Sequence, residues 1–145
     1  MLSKPITASE LHGLLLAAAE TDRRLPTAER RTPTSWWPEL RQEWADYAPD
    51  RTQVRLARAT PEQIDAYDLV HAIVAGIRSL ADRRLLWAVA QSAVFRQRGP
   101  AWSRIARITH TNRRAVKNAY ELCLHRTAAE WNARQRNNAA SKQLG

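Results

Sequence analysis

The sequence predicts an all-α fold, and three observations carry that reading. Two segments open with helix-capping boxes, Thr7 with Glu10 and Thr60 with Gln63. In each, a hydroxyl and a carboxyl or amide three residues on satisfy orphan amides of the first turn. The apolar residues behind each box recur at helical rather than strand spacing. A third helical segment starts at Asp82, with Leu85, Leu86, Val89 and Val94 as buried candidates, and is stopped by Gly99 and Pro100.

The first box predicts a helix from about Ala8 to Arg24, with Leu11, Leu14, Leu15 and Leu16 as its apolar face. Leu25 to Ser35, with two prolines, reads as an extended connection. Ser35 then caps a short helix that groups Trp36, Trp37 and Trp44 with Tyr47. Aromatics this dense close a small core or form a protein-docking surface, since each covers about 150 to 250 Å². The segment around Val54 reads either as a short strand or as an extended arm.

From Thr60, with Pro61 at the first helical position, Ile64, Tyr67, Leu69, Val70, Ile73, Val74 and Ile77 predict a largely apolar helix ending near Ser79. His71 within it reads as a half-buried, satisfied residue. Asp82 starts a further helix from Arg83 to about Arg98, burying Leu85, Leu86, Val89 and Val94, and Gly99 with Pro100 stops it. The organisation expected is an N-terminal helical arm over 1–59, a helical core over 60–132, and a polar, disordered tail over 133–145.

Charge is distributed unevenly. Residues 1–82 hold 10 Lys and Arg against 12 Asp and Glu; residues 83–145 hold 13 against 2, so the whole net charge of +9 belongs to the second part. That asymmetry points to a polyanionic partner, nucleic acid before membrane. No apolar run approaches membrane-spanning length and the first 20 residues lack a secretory pattern, so a cytoplasmic, nucleoid-associated protein is expected. Cys123 has no partner for an internal disulfide and sits in an apolar stripe, so it reads as a small core residue. No His-Glu-x-x-His, Cys-x-x-Cys or phosphate-cradling glycine loop is present, and His12, His71, His110 and His125 share no ligand spacing. Neither catalysis nor a cofactor or metal is expected.

The stretch 99–123, "GPAWSRIARITHTNRRAVKNAYELC", carries the functional signal. Trp102, Ile105 and Ala106 have the spacing that seats the first helix of a helix-turn-helix, Asn112 can cap the second, and Val116 lies where such motifs pack a branched residue. Taking Arg113 as zero and about 100° per residue, Lys117 falls near ~40°, Glu121 near ~80°, Arg114 near ~100° and Asn118 near ~140°. Ala115, Ala119, Cys123, Val116 and Tyr120 occupy the opposite, apolar arc. Arg113, Arg114 and Lys117 suit guanine and Asn118 suits adenine; Arg104, Arg107, Arg83, Arg84, Arg96, Arg98 and the Asn112 cap are assigned to the DNA backbone. The usual turn glycine is replaced by His110, one of the residue types that tolerate positive φ, and the usual apolar turn residues by Thr109 and Thr111.

From "TSWWPELRQEWADYAPD" through "ATPEQIDAYDLVHAIVAGIRSLADRRLLWAVAQS" to "WSRIARITHTNRRAVKNAYELCLHRTAAEWN", the chain resembles a domain-of-unknown-function family of alphaproteobacterial genomes and their prophages or gene-transfer-agent-like elements. The matching residues are Trp37, Pro38 and Glu39, Ile64 and Asp65, and Asp82 to Leu85 with Trp87. The second part is also similar to the fourth region of sigma factors. The resemblance implies double-stranded-DNA binding in a phage-derived setting, with RNA polymerase or another phage-type protein as a further partner. A transcription activator or antiterminator is the leading expectation. A phage-type small terminase subunit, which would form a homo-oligomeric ring, and a protein-interaction module with only nonspecific DNA affinity are the alternatives.

Overall fold

The computed structural model describes residues 4–25 and 57–145. The Trp36, Trp37 and Trp44 cluster, the proline-containing connection before it and the Val54 segment lie outside the described residues. Within them the fold is all-helical: α1 (Ala8–Arg24), α2 (Pro61–Ala75), α3 (Leu80–Ala93), α4 (Trp102–Ile108) and α5 (Arg113–Gln143).

Both capping boxes form in full. Thr7 Oγ1 accepts from the Glu10 amide at 3.1 Å while Glu10 Oε2 accepts from the Thr7 amide at 2.8 Å. Thr60 and Gln63 repeat the pair at 3.2 and 2.9 Å. α2 stops at Ala75, earlier than its apolar pattern implies, because Ser79 is needed outside the helix as the cap of α3, accepting from the Asp82 amide. α3 in turn ends at Ala93 and not near Arg98: Phe95 takes a left-handed φ of 59°, which bends the chain out of the helix directly after Val94, itself buried.

α1 organises the core, packing against α2, α3 and α5. Leu11 and Leu15 are fully enclosed, with Ala18 and Ala19 letting the neighbouring helices approach closely. Their cluster includes Val70, Ile73 and Val74 of α2, Leu86, Trp87 and Val89 of α3, Ile105 of α4, and Val116, Tyr120 and Leu124 of α5, so α1 shares one core with the later helices. Leu85 is only partly buried, and Ile64, expected on the apolar face of α2, is exposed.

A buried polar hub ties three of these helices. Asp22, 2% exposed, accepts from the Tyr67 hydroxyl at 3.2 Å and from Gln91 Nε2 at 3.4 Å, and Arg23 Nε donates to Gln91 Oε1 at 3.0 Å. A second tie joins the segment before α1 to the middle of α5: the Asn132 side-chain amide accepts from the Ile6 N–H and donates to the Ile6 carbonyl, both at 2.9 Å.

The segment from Ala133, expected as a disordered tail, continues α5 without a break, for 31 residues in all. No Gly or Pro interrupts 113–143, and the Ala, Arg, Gln and Lys there have high intrinsic helix propensity. An existing helix extends through such residues without needing a new nucleus. Arg134 Nη2 also anchors the extension by donating to the Gly76 carbonyl at 2.6 Å.

Replacing Asp22 by Leu removes the acceptor shared by the Tyr67 hydroxyl and Gln91 Nε2 and is expected to cost about 1 to 3 kcal/mol, read as a lowered urea midpoint. Burial holds the imidazoles of His12 and His71 below the ordinary 6.5, the nearby Asp68 and Asp22 only partly opposing this at His71. The unfolded chain therefore binds more protons below 6.5, so this contribution to stability is complete above that pH and is lost as pH falls through the folded values. The urea midpoint should drop between about pH 7 and pH 5, and the slope should flatten in His71→Gln.

Candidate nucleic-acid interface

Two helices, α4 and α5, meet through the four-residue connection Thr109 to Asn112. Ile105 and Ala106 on α4 and Val116 and Tyr120 on α5 are buried between them and the rest of the core. The Trp102 ring stacks edge-on against Tyr120, with centroids 5.5 Å apart. α4 is held from behind by Ser92, fully buried, whose hydroxyl donates to the Val89 carbonyl and accepts from the Ala101 amide.

The connection shows why histidine and threonine serve where glycine and apolar residues are usual. His110 has φ 56°, the left-handed conformation expected of the turn. Its amide donates to the Arg107 carbonyl at 3.3 Å and the Thr111 amide to the Ala106 carbonyl at 2.9 Å, the paired bonds of a Schellman ending. Thr109 Oγ1 donates to the Ile105 carbonyl at 2.8 Å and lies 3.0 Å from Thr111 Oγ1. The two hydroxyls thus satisfy each other and the helix end, in place of apolar packing. Asn112 then caps α5, its side-chain oxygen accepting from the Ala115 amide at 2.8 Å.

Arg113, Arg114, Lys117 and Asn118 are all exposed on the first two turns of α5, with Glu121 the first acidic residue beyond them. The helix start carries a positive dipole end as well. Val116, Tyr120 and Cys123 face the core, but Ala115 and Ala119 are exposed: the buried arc is narrower than the apolar arc of the sequence, since α4 is short and covers only one side of α5. Burial and the neighbouring Asp82 push the Cys123 thiol up, in keeping with a core position.

The residues assigned to the backbone separate into two groups. Arg107 is exposed and Arg104 half-exposed on α4, and Arg96 and Arg98 lie in the loop that leads into α4. Arg83 and Arg84 sit at the other end of α3. There both are half-buried, Arg83 donates to the Ala75 carbonyl, and the adjacent Asp82 pairs with Arg126 at 3.1 Å. Arg126 is thirteen residues along α5 from Arg113, about 20 Å at 1.5 Å per residue, so the start of α3, which carries Arg83 and Arg84, is tied to α5 that far from Arg113.

Sequence reasoning missed Ser92, Asn132 and Asp22, polar residues whose partners lie far along the chain. No helix among the described residues is long and apolar enough to cross a membrane. Neither protein-family models, nor curated proteins, nor solved structures give a match to this chain.

His110→Gly should stabilise the protein by up to about 1 kcal/mol, by relieving a left-handed side chain. His110→Val should destabilise it, because a branched Cβ resists positive φ. Asn112→Ala should cost about 1 kcal/mol through the lost cap. Thermal midpoints of the three variants check these outcomes.

Proposed function

We propose that this chain is a sequence-specific double-stranded-DNA-binding protein of helix-turn-helix type that acts as a transcription regulator. The observation that supports the reading best is the exposed array of Arg113, Arg114, Lys117 and Asn118 at the start of α5, on the second of two helices set by a left-handed turn. In this reading α5 enters the major groove with its first two turns, where arginine and lysine meet guanine and Asn118 meets adenine. Arg104 and Arg107 on α4, with Arg96 and Arg98 before it, meet phosphates on the flanking strand and supply the salt-dependent part of the affinity. The resemblance to the phage-associated family and to sigma region 4 agrees with promoter DNA as the target and RNA polymerase as a further partner.

Selection of bound fragments from genomic DNA at physiological salt should return a defined motif for the wild type. The variant combining Arg113→Ala, Arg114→Ala and Lys117→Ala should lose it. Arg107→Ala should weaken all sequences alike and reduce the salt slope by about one. Loss of affinity in the triple variant without any change in preference would reject α5 as the reading element.

A further inference from the structure

Beside the α5 face lies a groove of about 330 Å³ between α1, the start of α4 and α5. Its apolar walls include Trp102, Tyr120 and Leu124, and its polar lining is Ser9 and His12 from α1 and Lys117, Glu121 and His125 from α5. Lys117 belongs both to this groove and to the exposed basic array, so the two surfaces are continuous. Glu121, Leu124 and His125 lie beyond the first two turns of α5, where a recognition helix leaves the base edges and the DNA strand passes alongside. A strand there presents phosphates, and the groove offers donors: one ammonium, two imidazoles and a hydroxyl, against the single carboxylate of Glu121.

We infer that this groove takes a DNA backbone phosphate, held by His12 and His125, with Lys117 at its rim toward the base edges, so that α1 is part of the nucleic-acid interface. The inference rests on the DNA-binding reading above. His12 Nδ1 is engaged with the Tyr120 hydroxyl at 2.6 Å, leaving Nε2 as the ring nitrogen for a phosphate. The hydroxyl can donate to a neutral ring or accept from a protonated one, so the contact to α5 survives protonation. The charged and titratable groups facing His12 across the groove are Lys117, Glu121, Tyr120 and His125 from α5; the groove residues of α4 and its approach, Trp102 and Pro100, carry none. Burial disfavours the charged imidazole in the free protein, and an arriving phosphate reverses that preference. DNA binding is therefore coupled to proton uptake at His12.

The test is the affinity of the full chain for a mixed-sequence DNA duplex at fixed ionic strength, at pH 8 and pH 6, together with the NMR titration of the His12 ring with and without duplex. Affinity should rise about three- to tenfold toward pH 6, tenfold corresponding to one pKa unit of coupling. The titration midpoint of His12 should move up when duplex is added. His12→Gln, whose amide can still meet the Tyr120 hydroxyl, should flatten the pH dependence, and Glu121→Gln should raise affinity at pH 8. His110→Asn, at the exposed turn, should leave the dependence intact. Binding that is independent of pH, with an unmoved His12 midpoint, would overturn the phosphate groove while leaving the α5 face standing. Absence of binding at both pH values would overturn the DNA-binding reading itself.

Discussion

Burial of the Tyr120 ring where α1, α4 and α5 converge is the constraint on which the orientation of the basic face depends. The ring is 2% exposed and stacks edge-on with Trp102, and its hydroxyl meets His12. A phenol in a core needs a partner for its polar end, since an unmade hydrogen bond there costs the full desolvation of the hydroxyl. His12 supplies it from a different helix, which fixes the rotation of α5 about its axis as well as its distance from α1. Once Tyr120 points inward, the helical period turns Arg114 and Asn118 away from the core, while Arg113 and Lys117, seven and three residues before Tyr120, lie nearer its side of the helix and are exposed at the helix start. Burial also drives the phenol pKa upward, so the hydroxyl keeps its proton and its capacity to donate well above neutral pH.

The second requirement is that α4 and α5 hold their mutual angle, and the turn between them does this with an unusual set of side chains. Glycine would adopt φ 56° freely, but it would also enlarge the unfolded ensemble. Histidine accepts some left-handed strain and restricts that ensemble. The threonines on either side recover the strain locally, one back-bonding to α4 and both bonding each other. Strain of this kind persists only where surrounding contacts over-determine the conformation. Here the Schellman bonds, the Asn112 cap and the buried Ile105, Ala106 and Val116 do so together.

Much of this was legible in the sequence because it is local. Capping boxes, the Asn112 cap and the positive φ of His110 depend on neighbours within three or four residues, and a chain pattern records such neighbours directly. Helix ends decided by tertiary needs were not legible: α3 stops at Ala93 so that Val94 can be buried, and nothing within a few residues announces it. The helical continuation to Gln143 was obscured by polarity, which removes the apolar period but not the propensity. For the interface, the exposed cluster on α5 followed from a wheel. The docking of the start of α3 near Arg126, far along α5 from Arg113, required knowing which helix packs where.

The distribution of charge takes on a structural meaning once α1 is seen in the core. The basic residues concentrate in the second part of the sequence, yet α1 from the acidic part packs against α5 and brings His12 and Ser9 to the edge of its basic face. A neutral imidazole is compatible with the half-buried position and adds no repulsion beside Lys117 in the free protein. A lysine there would pay a larger desolvation penalty and repel its neighbour continuously. A histidine can instead acquire charge when a phosphate arrives to stabilise it. The same half-burial that weakens the free imidazole as a base thus makes its charge conditional on occupancy, so that α1 can hold the core together and still contribute to the surface.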